Sequence, residues 1–309
     1  MKQSTDTILM IEPVAFYFNA ETATNNYFQQ KPSESQEEIQ AKALAEFNDM
    51  VKLLRDNGIN VITIKDTLNP HTPDSIFPNN WISMHDDATV GLYPMYAENR
   101  RTERREDILE ELEKNGFEIS TIVDYSSAEE EEIFLEGTGS LILDRENRLA
   151  YVCLSDRSDE GLVIEFCEDF EYTPIIFTAN QTVNGERLAI YHTNVMMCVA
   201  DKYVVICLDT IDSKSERKMV IDTIKGSGKE IVKITEDQMH QFAGNMLQVN
   251  NGKETFLAMS KSAYDSLTDD QIAQIEKFDK ILAPAIPTIE TLGGGSVRCM
   301  MAEVFLPKE

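Results

Sequence analysis

Three residues far apart in the sequence have the side chains that nucleophilic catalysis needs. Cys299 follows three consecutive glycines and an arginine, His192 is one of four histidines, and Glu136 precedes a Gly-Thr-Gly segment. A thiolate can attack an electrophilic carbon while an imidazole transfers protons. Each residue alone also has a plain structural explanation, because an isolated cysteine is often a small buried hydrophobe. Whether the three act together depends on how the chain positions them.

A repeated pattern places the three residues at equivalent points. Five segments enter a strand through small or polar residues, turn through residues typical of hairpins, and continue into a second apolar strand. Their reference positions recur about every 55 residues. They are Asn80, Gly139, Asn194, Asn245 and Val297. Glu136, His192 and Cys299 each lie within three residues of a reference position.

Between these strand pairs the apolar period changes to that of a helix, and one more short strand follows. The clearest helix is predicted at residues 36–57, after a capping box formed by Ser35 and Glu38. The other predicted helices are residues 102–115, 158–167, 214–225 and 268–278. The third strands are predicted at residues 61–64, 117–123, 173–177, 230–234 and 280–283. In the last repeat, residues 292–301 are expected to begin a strand pair that ends at 302–306.

Five such α/β units favour a closed arrangement, because the end units of an open array would need polar caps and the sequence shows none. We therefore expect residues 1–309 to form a single domain, a five-bladed α/β propeller with pseudo-fivefold symmetry. In such a ring the equivalent points of all units converge near the axis. Glu136, His192 and Cys299 would then face one central site.

Three motifs resemble those of the guanidine-modifying superfamily, the penteins. They are Leu-Glu-Gly-Thr-Gly at 135–139, His-Thr-Asn at 192–194 and Gly-Gly-Gly-Ser-Val-Arg-Cys-Met at 293–300. The resemblance covers nearly the whole chain and is nearest to the arginine deiminase-related, amidinotransferase family proteins of the citrulline-utilisation hydrolase type. It implies that Cys299 attacks the guanidinium carbon, that His192 acts first as acid and then as base, and that Glu136 binds guanidinium nitrogens and orients His192. It also implies an S-alkylthiouronium intermediate and no metal or organic cofactor.

Asparagines stand where typical deiminases have two aspartates. The chain has Asn79 and Asn80 in the first motif and Asn194 two residues after the histidine. An amide both donates and accepts hydrogen bonds, so it can bind a neutral ureido group as readily as a guanidinium. With Arg298, these asparagines are the expected substrate-binding residues.

Deimination, double hydrolysis and ureido hydrolysis all stay open at this point. Amidino transfer to an amine is less favoured, since no acceptor site is marked in the sequence. A non-catalytic ring that binds a partner is the alternative from another class of protein.

Other polar residues have competing interpretations. Asp74, Asp86 and Asp87 could supply a missing carboxylate, although the latter two are typical turn residues. The arginines at 100, 101, 104 and 105 could bind a substrate carboxylate. The acidic residues interspersed among them favour a charge-paired surface segment instead.

Composition excludes several classes of function. The 28 basic and 54 acidic residues give a formal net charge of −26, which repels nucleic acid and anionic membranes. The expected partner is a small cationic or ureido substrate, and a homodimer stays open. Five cysteines without regular spacing indicate neither a disulfide framework nor a zinc site. The absence of a signal-like or membrane-length apolar run, about 20 residues, favours the cytoplasm.

Overall fold

The sheets of this protein are built from short strands, many of them apolar. A computed structural model describes residues 2–308. Its strands are Thr7–Glu12 (β1), Asn60–Lys65 (β2), Ile82–Met84 (β3), Thr89–Leu92 (β4), Thr121–Asp124 (β5), Ile142–Asp144 (β6), Leu149–Cys153 (β7), Thr173–Phe177 (β8), Asn180–Val183 (β9), Glu186–Ala189 (β10), Met197–Val199 (β11), Tyr203–Ile206 (β12), Glu230–Lys233 (β13), Leu247–Asn250 (β14), Thr255–Ala258 (β15), Lys280–Leu282 (β16) and Ala302–Glu303 (β17).

Helices connect the strands. The α-helices of the described residues are Gln36–Asp56 (α1), Glu106–Lys114 (α2), Gly137–Ser140 (α3), Glu160–Asp169 (α4), Lys214–Gly226 (α5), Glu236–Met239 (α6), Lys261–Ser266 (α7), Asp269–Glu276 (α8) and Pro287–Gly293 (α9). Within residues 2–308, none of them combines the length and the apolar character that crossing a bilayer requires.

Five sheets share one three-stranded design. Their strand orders are β17-β1-β2, β3-β4-β5, β6-β7-β8, β11-β12-β13 and β14-β15-β16. In each sheet the first strand of the order above pairs antiparallel with the middle strand, and the third strand runs parallel to the middle one. A parallel neighbour requires a crossover, and helices provide it. The predicted unit of hairpin, helix and strand is therefore confirmed for the four sheets built from consecutive strands.

The last repeat differs from the expectation. Residues 292–301 do not begin a strand, because α9 runs to Gly293 and Gly294 ends it with φ +64°. Glycine in the left-handed region is a common helix C-cap, which explains why the glycine run stops a helix. Only β17 is extended, and it pairs with β1 through Ile8 and Glu303. The N-terminal strand thus supplies the middle strand of this sheet.

Helices α1 and α8 form where amphipathic spacing and capping residues predict them. The capping box of Ser35 and Glu38 is present at the start of α1. The buried face of α1 consists of Ile39, Ala43, Phe47, Met50, Val51 and Leu54. These side chains join a core cluster with β1 and β2, so apolar burial holds the helix on its sheet. Thr268 caps α8 with Gln271 in a second predicted helix.

Several boundaries and one hairpin were not predicted correctly. The strand expected at 117–123 begins only at Thr121, and residues 137–140, expected to enter a strand, form the short helix α3. The helix expected at 102–115 begins only at Glu106, after a 3₁₀ segment, Glu98–Glu103. The helix expected at 158–167 is shifted to α4, with Asp159 as its N-cap. The two-stranded sheet of β9 and β10 lies outside the repeat and was missed.

Candidate active site

A short turn precedes the first strand of each three-stranded sheet, and these turns meet. The 3₁₀ turn Pro78–Asn80 leads into β3, α3 leads into β6, and the 3₁₀ turn Thr193–Val195 leads into β11. Thr138 on α3 donates a hydrogen bond of 3.2 Å to the Asn79 carbonyl. The reference positions that the sequence placed in phase therefore come together in space.

Glycines in α3 allow this close approach. Gly137 has φ +41°, and a methyl group there would lie 2.6 Å from the Asn79 carbonyl oxygen. At Gly139 a methyl group would lie 2.4 Å from Asn80 Nδ2 and 2.9 Å from His192 Nδ1. Only hydrogen fits at these positions, so the glycines bring the asparagine turn and the histidine to the same point.

Glu136 and His192 form a buried hydrogen-bonded pair. Glu136 Oε2 lies 2.7 Å from His192 Nε2, and Oε1 accepts the backbone N–H of Tyr96 at 3.0 Å. Both residues are nearly inaccessible to solvent. Because the carboxylate faces Nε2, that nitrogen carries the proton and Nδ1 is left with its lone pair.

The surroundings set the charge of both groups. Burial favours the neutral carboxyl of Glu136, but the Arg157 guanidinium and the His192 hydrogen bond outweigh it and lower its pKa to about 2. Burial disfavours the imidazolium form of His192, and although Glu136 opposes this, its pKa falls to about 4. At neutral pH the pair is therefore a carboxylate and a neutral imidazole.

Arg157 is a site residue that the sequence did not reveal. Its Nη1 lies 3.5 Å from Glu136 Oε2, and its Nη2 donates to the Thr22 carbonyl at 2.9 Å. Its guanidinium carbon lies 4.9 Å from the centre of the Tyr191 ring, which in turn lies 4.7 Å from the His192 ring. No motif marks Arg157, because its contribution depends on a long side chain that reaches the site from after β7.

Cys299 lies in the turn before β17, buried between two asparagine amides. Its Sγ is 3.4 Å from Asn194 Nδ2 and 3.2 Å from Asn245 Nδ2. Asn194 is two residues from His192, so Cys299 contacts the 193–195 turn that directly follows the Glu136–His192 pair. The structure thus brings together Cys299, His192, Glu136 and Asn194. Asn245 joins them, although the sequence analysis used it only as a reference position.

Several buried polar atoms near these residues lack hydrogen-bond partners. They are Asn79 Oδ1 and Nδ2, Asn80 Nδ2, Asn194 Oδ1 and Asp74 Oδ1. The Asn80 amide has a fixed orientation, since its Oδ1 accepts from Arg100 Nη1 at 2.9 Å. A buried donor or acceptor without a partner is costly, and such atoms concentrate where a ligand can satisfy them. The first-motif asparagines and Asp74 therefore provide free donors and acceptors.

Arg298 does not join this group in the way the sequence suggested. Its Nη1 donates to the Met301 carbonyl at 2.8 Å, and its Nη2 pairs with Glu303 at 3.1 Å. The guanidinium is thus bound by its own chain segment. The geometry favours a structural role for Arg298, which closes the turn that carries Cys299, over contact with a substrate.

The other candidates divide between structural and exposed positions. Arg100 is buried and binds Glu103 through two hydrogen bonds of 2.9 Å, as well as Asn80. Asp86 and Asp87 are exposed in the β3–β4 turn, where Asp87 accepts the Thr89 N–H. In residues 2–308 no group of three or more His, Cys, Asp or Glu side chains is arranged to hold a metal ion.

The repeated three-stranded sheets and the helices that connect their strands make this a mixed α/β protein. The family model for N,N dimethylarginine dimethylhydrolase, eukaryotic, matches residues 12–306. The chain belongs to this family, within the pentein superfamily of guanidino-modifying enzymes. No protein in the curated set matches it significantly.

Solved structures share the fold. The apo arginine dihydrolase ArgZ, of the ornithine–ammonia cycle in cyanobacteria, superposes with a TM-score of 0.73 and 18% identity. The match covers 98% of this chain but 41% of ArgZ, so the chain spans less than half of that protein. The substrate-bound N-terminal domain of ArgZ gives 0.71 and 18%, with 97% of this chain and 99% of the domain covered. DDAH from Pseudomonas aeruginosa, complexed with citrulline, gives 0.65 and 14%, with 97% and 99% covered.

Proposed function

We propose that this chain is a cysteine-dependent hydrolase that cleaves a C–N bond of a small guanidino or ureido compound. The observation that carries the proposal is the hydrogen-bonded Glu136–His192 pair beside Cys299 in one buried cluster of turns. We also propose that residues 1–309 form one domain, with the five three-stranded sheets as the blades of a propeller. The pairing of β17 with β1 supports this, since it joins the two ends of the repeat array.

In the proposed reaction Cys299 is the nucleophile and His192 transfers protons. The Cys299 sulfur forms a bond to the guanidinium carbon, and the thiol proton passes through His192 Nδ1 to the nitrogen that leaves as ammonia. Because His192 is neutral at pH 7, it is ready to accept that proton. The product of this step is an S-alkylthiouronium.

Water then completes the cycle. His192 removes a proton from water as the water oxygen attacks the thiouronium carbon, and the carbon–sulfur bond breaks to leave a ureido compound and the free cysteine. Glu136 accepts from His192 Nε2 and stabilises the imidazolium that forms in each step.

The free polar atoms support a substrate with both donors and an acceptor. A guanidinium has only donors, and it can be bound by Asn79 Oδ1, Asn194 Oδ1 and Asp74 Oδ1. A ureido group adds a carbonyl oxygen, which needs a donor such as Asn80 Nδ2. Since the site offers both kinds of atom, it can bind the guanidino compound and its ureido product. This favours double hydrolysis or ureido hydrolysis alongside simple deimination.

Mass spectrometry of reaction products tests the proposal. The purified chain is incubated with arginine, citrulline, agmatine, an N-acylarginine and a methylarginine, and ammonia and amine products are measured. We expect release of ammonia from at least one compound, and none from Cys299→Ser. Cys167→Ser is the matched control, because Cys167 is buried in α4 away from the site, and we expect this variant to keep its activity.

The competing functions give different outcomes. Amidino transfer would produce a new guanidino compound only when an amine acceptor is added. A chain that turns over none of the compounds, with Cys299 alkylated by iodoacetamide no faster than denatured protein, would contradict the enzymatic proposal and favour a binding protein.

A further inference from the structure

Asn245 has an amide whose hydrogen-bonding groups are all engaged at the nucleophile. Its Oδ1 accepts the backbone N–H of Arg298 at 3.0 Å. Its Nδ2 lies 3.1 Å from the Asn194 carbonyl oxygen and 3.2 Å from Cys299 Sγ. The Arg298 N–H can only donate, so it fixes Oδ1 on that side and directs both Nδ2 protons to Asn194 and Cys299.

The orientation of the Asn245 amide determines which hydrogen bonds the Cys299 sulfur can form. Asn194 Nδ2, at 3.4 Å, is a second donor aimed at Cys299 Sγ. The oxygen of Asn245 is 3.7 Å from the sulfur and is already bonded to Arg298. The sulfur therefore faces two amide donors at shorter range than the Asn245 oxygen, which can also accept from the thiol. Two nearby N–H donors stabilise a hydrogen-bond acceptor. Because the negatively charged thiolate accepts hydrogen bonds more strongly than the thiol, these donors favour the thiolate.

Asn245 also fixes where the sulfur lies. One bond to the Arg298 backbone holds the turn before β17, and another to the Asn194 carbonyl holds the turn before β11. Gly244 packs at the same junction, since a methyl group there would lie 2.2 Å from the Val195 carbonyl oxygen. The nucleophile and the turn that follows His192 are thus spaced by a single side chain.

We propose that Asn245 is a catalytic residue that stabilises the Cys299 thiolate through Nδ2 and holds it against the Asn194 turn. The inference rests on the proposed function, because it assigns Asn245 a part in the same nucleophilic attack. The residue touches the reacting sulfur but none of the free atoms assigned to the substrate. Its loss should therefore lower kcat more than it raises KM.

Two substitutions separate the donor from the structural role. Asn245→Ala removes all of the bonds. Asn245→Asp keeps the size and the oxygen that accepts from Arg298, removes the Nδ2 donor and adds a negative charge next to the sulfur. Asn250→Ala is the matched control: Asn250 ends β14, the strand that Asn245 precedes, and bonds to Ser4 instead. Circular dichroism and a thermal melt of each variant report folding.

The direct readout is the rate of iodoacetamide alkylation of Cys299 as a function of pH, followed by peptide mass spectrometry. A hydrogen bond to a charged group typically changes the equilibrium constant between its charged and neutral forms by about tenfold. We expect alkylation at pH 7 to slow by about tenfold in Asn245→Ala, and by more in Asn245→Asp because its carboxylate also repels the thiolate. Asn250→Ala should keep the wild-type profile.

The outcomes distinguish this inference from the proposed function. If wild-type Cys299 is not selectively alkylated, the proposed function fails. If the wild type is reactive and folded Asn245→Asp has the same pH profile and kcat, Nδ2 does not stabilise the thiolate and this inference is wrong. The inference is also wrong if Asn245→Ala changes the pH profile of alkylation but Asn245→Asp keeps it. In that case Asn245 would only hold the two turns in position.

Discussion

Replacing His192 by glutamine should change how the stability of the fold depends on pH. The pKa of His192 falls from an ordinary 6.5 to about 4 in the folded chain, because burial outweighs the attraction of Glu136. Between these two values the unfolded chain binds a proton that the folded chain does not. Acidification therefore favours unfolding, and the stability that neutral His192 allows is complete only above pH 6.5.

The magnitude follows from the size of the shift. The free energy of unfolding should fall by about 1.4 kcal/mol for each pH unit in this window, and by about 2 kcal/mol from pH 7 to pH 5. Glutamine can still donate to Glu136 but does not titrate, so His192→Gln should lack this part of the loss. Glu136 contributes little to the change in stability between pH 5 and pH 7. Its pKa is lowered from 4.5 to about 2, so the stability it contributes is lost only below pH 4.5.

Urea unfolding at pH 5, 6 and 7 measures the difference. The two proteins should approach each other in stability as the pH falls, with wild type losing about 2 kcal/mol more than His192→Gln. His71→Gln, at an exposed position, controls for the loss of a histidine as such. Parallel curves for wild type and His192→Gln would refute the view that the folded site holds His192 neutral.

Two further substitutions test the geometry of the site. Gly139→Ala should lower kcat/KM by about a hundredfold, because its methyl group would displace Asn80 and His192. Steady-state kinetics measure this loss. The control is Gly226→Ala, whose methyl group meets nothing within 4 Å and should leave activity intact. Asn80→Asp keeps an acceptor for Arg100 but removes the free Nδ2 donor, so mass spectrometry should show less ureido hydrolysis relative to guanidino hydrolysis. An unchanged product ratio would exclude Asn80 Nδ2 from binding the carbonyl.

The sequence predicted the unit of the fold because its signals are local. Hairpin turns, a capping box at Ser35 and amphipathic spacing mark each element within a few residues. The phase of the repeat then predicts Glu136, His192 and Cys299 at converging positions. The same phase also contained Asn245, and its amide type at a converging position was the signal that could have identified it.

What the sequence could not supply depends on distant partners. Arg157 reaches Glu136 only because its turn folds under Tyr191, and no spacing in the chain encodes that contact. The glycines at 293–295 fit a strand entry as well as a helix C-cap, and the helix that precedes them decides between the two. The β9–β10 hairpin was missed despite Asn184 and Gly185, a pair typical of tight hairpin turns.

In the proposed active site, we expect charge compensation to matter more for substrate choice than the acidic composition of the chain. Glu136 is matched by Arg157 and Glu103 by Arg100, so these buried carboxylates do not present unbalanced charge. Burial raises the pKa of Asp74, whose Oδ1 lacks a partner, and this weakens the remaining acidic contribution. A site whose charges nearly cancel can bind a neutral group at a small cost in free energy. A guanidinium requires an anion to offset the cost of its desolvation. The net charge of −26 can therefore attract a cation to the surface without making the buried site selective for one.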